Sequence, residues 1–259
     1  MTLLDVKGLG KSFGGVQAVK DVSFSLNKGE MLALIGPNGA GKTTCFNMLN
    51  GQLAADTGSV KFENQELLGL APRDVWRKGV GRTFQITATF ASMTVRENVQ
   101  MALLSHHKKI FSLWSRAASS FAKEADELLD QVGMRHQADR ASGILAYGDL
   151  KRLELGIALA HAPKLLLMDE PTAGMAPQER ITLMALVASI AEETGVSVLF
   201  TEHDMDVVFT HSDRLMVLNR GEIIATGTAD DIRNNDLVKE VYLGGGSTFD
   251  AGEKGAVHA

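Results

Sequence analysis

Gly36-Pro37-Asn38-Gly39-Ala40-Gly41-Lys42-Thr43 sets three glycines, a lysine and a hydroxyl at the spacing of a phosphate-binding P-loop. The apolar run Met31 to Ile35 directly before it predicts a strand, and the residues from Lys42 to Asn50 predict a helix. That strand, loop and helix are the context the pattern requires. The glycines let backbone amides turn inward around phosphate oxygens, Lys42 neutralises the β and γ phosphates, and the Thr43 hydroxyl reaches Mg²⁺. Thr44 adds a second hydroxyl in the same turn. Cys45 follows it, where the helix dipole favours a thiolate and packing favours an inert thiol.

A second set of groups lies far along the chain. Leu165-Leu166-Leu167-Met168-Asp169-Glu170 reads as a buried strand ending in two acids, with Asp169 suited to hold Mg²⁺ and Glu170 to polarise an attacking water. Helix capping is the plainer use of such acids. A further strand, Val196 to Thr201, ends in Glu202-His203-Asp204 and presents an imidazole where a γ-phosphate contact is possible.

Short apolar runs alternate with longer amphipathic stretches, so the predicted class is α/β, with a P-loop NTPase core. Leu3 to Lys7, Val22 to Leu26 and Ser59 to Glu63 alternate more strictly and carry turns such as Asn27-Lys28-Gly29, which predicts an antiparallel β layer. Arg214 to Leu218 and Glu222 to Ala225 predict a hairpin through Asn219-Arg220-Gly221. From Thr94 to about Ala160 the pattern turns helical. Thr94-Val95-Arg96-Glu97 has the form of a capping box, and a helix is expected from Ser119 to Val132, ending at Gly133. His106-His107-Lys108-Lys109 reads as a solvated loop or helix end, because adjacent histidines without Cys or carboxylate companions make poor metal ligands.

The order of these motifs resembles the ATP-binding subunit of ABC transporters, and the resemblance runs from Leu3 to Gly244. By that resemblance Phe13 stacks on adenine, Gly36 to Thr43 form the Walker A, and Gln85 in Arg82-Thr83-Phe84-Gln85 is the Q-loop residue that contacts Mg²⁺. Leu145-Ala146-Tyr147-Gly148-Asp149 is the signature segment, whose Tyr147, Gly148 and Asp149 face nucleotide. Asp169 and Glu170 end the Walker B, and His203 senses the γ-phosphate. Within the family, Phe13-Gly14-Gly15-Val16, Thr172-Ala173-Gly174-Met175, Glu202-His203-Asp204-Met205-Asp206 and Val241-Tyr242-Leu243-Gly244 look like one of the paired subunits of branched-chain amino acid importers.

The implied assembly holds ATP and Mg²⁺ between two ATP-binding subunits, expected to form a heterodimer, on two transmembrane permeases served by a periplasmic binding protein. The implied location is peripheral, on the cytoplasmic face of the inner membrane. The implied layout is one ABC ATPase domain over residues 1–243, with a helical subdomain at about 86–162 and a disordered tail at 244–259. Phe84, Phe90 and Met93 either line a permease groove or pack as core. A cassette for another solute, such as urea, an amide or a lipid precursor, stays open at this stage. So does a soluble ABC ATPase outside transport.

Two positions depart from the family pattern. Ala146 stands where the signature has a serine whose hydroxyl meets the opposing subunit's ATP, and Ala176 where the D-loop has an aspartate.

Composition is that of an ordinary globular chain: 259 residues, 26 Lys+Arg against 31 Asp+Glu, 45% hydrophobic and one cysteine. A net charge of -5 without a long basic tract argues against a nucleic-acid partner. Asp5 and Lys7 interrupt what would be the apolar part of an export signal, and no apolar run approaches the ~20 residues that span a bilayer.

Overall fold

Two hairpins with two-residue turns frame the first part of the fold, and both depend on backbone that glycine adopts cheaply. The computed structural model describes residues 1–83, 89–107 and 121–243. Strands β1 (Thr2–Phe13) and β2 (Val16–Asn27) pair antiparallel across Gly14-Gly15, whose φ values of 52° and 84° fit a type I′ turn. β4 (Thr57–Phe62) lies antiparallel on the other side of β1 and is extended by the short β5 (Gln65–Glu66). This is the expected antiparallel layer. Its first two strands are about twice as long as the alternation suggested, because register shifts along β1, such as those between Val6, Leu9 and Lys11, interrupt the two-residue period.

The residues divide into two units, Met1–Pro72 with Ser197–Ala259, and Arg73–Val196. In the first, β3 (Met31–Ile35) lies between β8 (Ser197–Thr201) and β9 (Arg214–Asn219), parallel to both. Every residue of β3 and β8 is buried, as expected of strands covered on both faces. β10 (Glu222–Gly227) returns antiparallel on β9 through Arg220-Gly221, at φ 47° and 85°, which is the predicted hairpin. Arg214 ties this strand to the turn before β3, donating from Nε to Glu30 at 2.7 Å and from Nη2 to the Ser25 carbonyl at 2.5 Å. Helix α1 (Lys42–Leu49) follows the P-loop.

In the second unit β6 (Val80–Thr83) and β7 (Leu165–Asp169) form a parallel pair. Around them come α2 (Pro72–Arg77), α3 (Val95–His106), α4 (Ala122–Gln131), α5 (Tyr147–Leu159) and α6 (Pro177–Thr194). The Thr94 box that starts α3 is complete: its hydroxyl accepts from the Glu97 amide at 3.2 Å, and Glu97 accepts from the Thr94 amide at 2.7 Å. His106 and His107 are the end and cap of that helix. α4 stops before Gly133 at φ 69°, as predicted. Phe84, Gln85, Lys108, Lys109, Ser119 and the tail 244–259 lie outside the described residues. Three short helices complete the first unit: α7 (Met205–His211), α8 (Ala229–Arg233) and α9 (Asp236–Leu243). Among the described residues no helix is long and apolar enough to cross a membrane.

Candidate functional site

The P-loop is held in shape by close backbone contacts. A methyl group on Gly36 would sit 2.0 Å from the Leu218 carbonyl of β9, and one on Gly41 would sit 2.4 Å from the Ala18 carbonyl of β2. Glycine is the only residue type that fits either place. The β9–β10 turn adds two bonds: the Gly221 amide donates to the Ala40 carbonyl at 2.9 Å, and the Lys20 amide donates to the Gly221 carbonyl at 2.8 Å. Tyr242, on α9, is hydrogen-bonded to the Gly36 backbone, and burial raises its phenol well above the ordinary value. The sequence motifs gave Tyr242 no role and Gly221 only a place in the hairpin turn, although the family-like ending that contains Tyr242 was the available signal.

Lys42 is buried and its ammonium donates to the Gly36 carbonyl at 2.6 Å and the Pro37 carbonyl at 3.2 Å. It lies folded over the loop that it closes. The N-cap of α1 is Gly41, which offers no capping side chain. The first-turn amides thus need an outside acceptor, and the helix dipole favours an anionic one. Thr43 is exposed and Thr44 half-buried in that turn, while Pro37 is half-buried and Asn38 and Gly39 are exposed. Cys45, by contrast, is 1% exposed, and burial pushes its thiol up to about 12. Desolvation overrides the helix dipole here, so of the two readings the inert, packed thiol is the one that holds.

Phe13 ends β1 with 49% of its surface exposed, just ahead of the Gly14-Gly15 turn. Asp56 fixes its approach, accepting from Lys11 Nζ at 2.6 Å and from the Ser12 amide at 2.8 Å. The Lys11 ammonium stands 5.6 Å from the Phe13 ring centre. An exposed ring on a clamped strand end is a flat stacking surface. His203 is exposed after β8, its amide donating to Glu202 at 3.2 Å, and Asp204 begins α7 by accepting from the Val207 amide at 3.3 Å.

In the second unit Asp169 ends β7 at 2% exposure, and half-buried Glu170 follows at a φ of 51°, an uncommon conformation for a residue with a side chain. Arg82 of β6 approaches Asp169 to 3.6 Å. Sequence reading placed Arg82 only as a neighbour of Gln85.

The signature segment opens α5, with Ala146 at the N-cap and no side-chain cap. Tyr147 donates its hydroxyl to the Ala173 carbonyl at 3.0 Å, and Asp149 accepts from Gln137 Nε2 at 2.7 Å. Gly148 is buried, and a Cβ there would lie 3.2 Å from a carboxylate oxygen of Glu179. The polar side chains on either side of Gly148 are thus engaged within the chain. Outward the segment offers the backbone of a helix start without a side-chain cap, beside the 45% exposed Tyr147 ring. Ala176 caps α6 in the same way, with Glu179 accepting its amide at 3.1 Å.

Phe90 is 54% exposed. Its backbone is pinned by Asn98, which accepts from its amide at 2.7 Å, and by Ser142, which donates to its carbonyl at 2.9 Å. Met93 is half-buried, so of these two only Phe90 presents most of an apolar side chain outward.

The ABC transporter profile matches residues 19–173, and a second profile, for branched-chain amino acid ATP-binding cassette transporters, matches residues 222–248. The chain is 40% identical over 251 residues to the high-affinity branched-chain amino acid transport ATP-binding protein LivG of Escherichia coli K12, covering 93% of this chain and 98% of that one. It is 38% identical over 249 residues to the corresponding protein BraF of Pseudomonas aeruginosa, again covering 93% and 98%. A solved ATP-binding cassette of an ABC transporter, in its ADP conformation, superposes with a TM-score of 0.82 at 33% identity, covering 94% of this chain and 99% of that one. With a P-loop of this geometry and likeness over nearly its whole length, the chain belongs to the ABC transporter family, as an ATP-binding cassette that hydrolyses ATP.

Proposed function

We propose that this chain powers an importer of branched-chain amino acids, working as one of two ATP-binding subunits beneath two permeases supplied by a periplasmic binding protein. It sits peripherally on the cytoplasmic face of the inner membrane. The match of the C-terminal segment 222–248 to branched-chain cassettes carries this reading, because the ATPase core alone is common to carriers of many solutes. In the structure that segment supplies β10 and the α9 helix bearing Tyr242.

Phe13 stacks on the adenine, the Gly36 to Gly41 amides and Lys42 hold the phosphates, and Glu170 orients the water and accepts its proton. His203 contacts the γ-phosphate. Thr43, Asp169 and Gln85 are hard oxygen donors of the kind Mg²⁺ takes, and the exposed Thr43 side chain and buried Asp169 carboxylate suit such a cation. Mg²⁺ would neutralise charge on the β and γ phosphates there. The uncapped amides at Gly148 meet the ATP held by the opposing subunit. We read residues 1–243 as one ABC ATPase domain with its helical part near 86–162. Phe90, exposed on a pinned backbone, is the side chain we assign to permease contact.

Phe13→Ala should weaken ATP binding by about 1 to 3 kcal/mol, the usual loss when a base leaves an aromatic platform. GTP should lose as much, since phenylalanine forms no base-specific hydrogen bond. A nucleotide titration with unchanged affinity would make Phe13 a packing residue only.

We further infer a heterodimer. Ala146 and Ala176 remove a hydroxyl and a carboxylate at two helix starts, and a homodimer would repeat both losses at each nucleotide. Pairing with a cassette that keeps the serine and aspartate confines them to one. Reconstitution in proteoliposomes with both cassettes, the permeases and the binding protein should give ATP hydrolysis stimulated by leucine, isoleucine or valine. This chain alone on the permeases should give under about a tenth of that rate, given the ~10-fold worth of one charge-assisted hydrogen bond. Stimulation only by urea or an amide would reassign the solute, and full activity from this chain alone would refute the pairing.

A further inference from the structure

The pairing of β6 with β7 sets Arg82 opposite Leu167 and Thr83 opposite Met168, so the guanidinium reaches along the sheet to the acid that ends β7. Arg82 Nη2 lies 3.6 Å from Asp169 Oδ2, with the two side chains 13% and 1% exposed. Charges this close and this dry interact far more strongly than a surface pair, and a buried carboxylate is costly without a positive neighbour. Burial also lowers the Arg82 pKa from its ordinary value while the Asp169 charge opposes that shift. A guanidinium keeps its proton throughout the physiological range. Its charge therefore remains when a second cation arrives at the same carboxylate.

We propose that Arg82 is a positioning residue that balances Asp169 before the metal binds and competes with the metal afterwards, so that it sets the free Mg²⁺ concentration at which this subunit takes up ATP. This rests on the reading of Asp169 as a metal ligand. Two cations sharing one carboxylate repel each other, so metal affinity is held below what Asp169 alone would give. The guanidinium, 3.6 Å away, in turn gives the carboxylate a fixed partner when the metal is away. Arg82 thus has opposite effects on stability and on metal uptake. A residue that only supported the fold would lower both when removed.

The test is an equilibrium titration of free Mg²⁺ against binding of a fluorescent ATP analogue to the full chain, together with thermal melts. Arg82→Gln should lower the half-saturating Mg²⁺ concentration at least threefold while lowering the melting temperature. Arg82→Lys, which keeps the charge, should stay within twofold of the unaltered chain in Mg²⁺ response. An unchanged or raised half-saturation in Arg82→Gln would overturn the proposal. Asp169→Asn tests the underlying reading separately: it should raise the half-saturation at least tenfold, and an unaltered Mg²⁺ response there would remove Asp169 from the metal site. Should Arg82→Gln fail to fold, the double change with Asp169→Asn decides, because removing both charges restores folding if they balance each other. A double variant that is also unfolded would overturn the pairing.

Discussion

Glu170→Gln should cut steady-state ATP hydrolysis by the assembled transporter at least ~100-fold, the contribution expected of a general base, while ATP binding persists. Glutamine keeps the length and planar end of the side chain, and it is no more strained than glutamate at the φ of 51° that Glu170 adopts after β7. What disappears is the group proposed to accept the water's proton. Lys42 and Asp169 are untouched, so dimers with trapped nucleotide should accumulate. In the proposed heterodimer the matching change in the partner cassette should cost less, because the partner's ATP would face Ala146 and turn over more slowly. Hydrolysis within twofold of the unaltered protein would remove Glu170 from the role of base, and equal losses from the two glutamate changes would refute the asymmetry.

Gly36→Ala should weaken nucleotide binding at least ~30-fold, or about 2 kcal/mol. The new methyl would stand 2.0 Å from the Leu218 carbonyl and 3.2 Å from the Ala40 side chain. Leu218 is fully buried and belongs to the strand paired with β3, so it cannot yield cheaply. The P-loop must move instead, leaving its bond to Tyr242. Gly195→Ala is the control. It changes the αL cap of α6, at φ 72° with open space around it, and should cost about 1 kcal/mol of stability without altering affinity. Urea unfolding and nucleotide titration on both variants separate the two effects, and an unchanged affinity in Gly36→Ala would mean that the loop tolerates displacement.

The parts of this molecule that were legible in the sequence share one property: their determinants are local. The fully buried β3 appears as an uninterrupted apolar run, β7 and β8 as compact apolar runs bounded by polar residues, and the Thr94 box and the Arg220-Gly221 turn are each written in four or fewer consecutive residues. β1 and β2 were read only in part, since each register shift moves the next side chains to the opposite face and erases the alternation. The Gly14-Gly15 turn between them went unread as a turn although it joins the two strands. The same distinction holds at the site. Spacing reveals the P-loop, yet the inward ties of Tyr147 and Asp149 involve Ala173 and Gln137, 26 and 12 residues away. Lys11, Asp56 and Arg82 likewise act through partners that only folding brings near. Cys45 had the right local position for a reactive thiol and the wrong surroundings.

That buried cysteine has a practical side. It is the only thiol in the chain, and burial both pushes it up to about 12, well away from the reactive thiolate at neutral pH, and leaves it 1% exposed. To a maleimide or a spin label the native protein is already blank. A cysteine introduced at an exposed position such as Ile144, 65% accessible, would be the single point of attachment. The opening and closing of the cassette pair can then be followed by labels on this subunit without first rewriting its core.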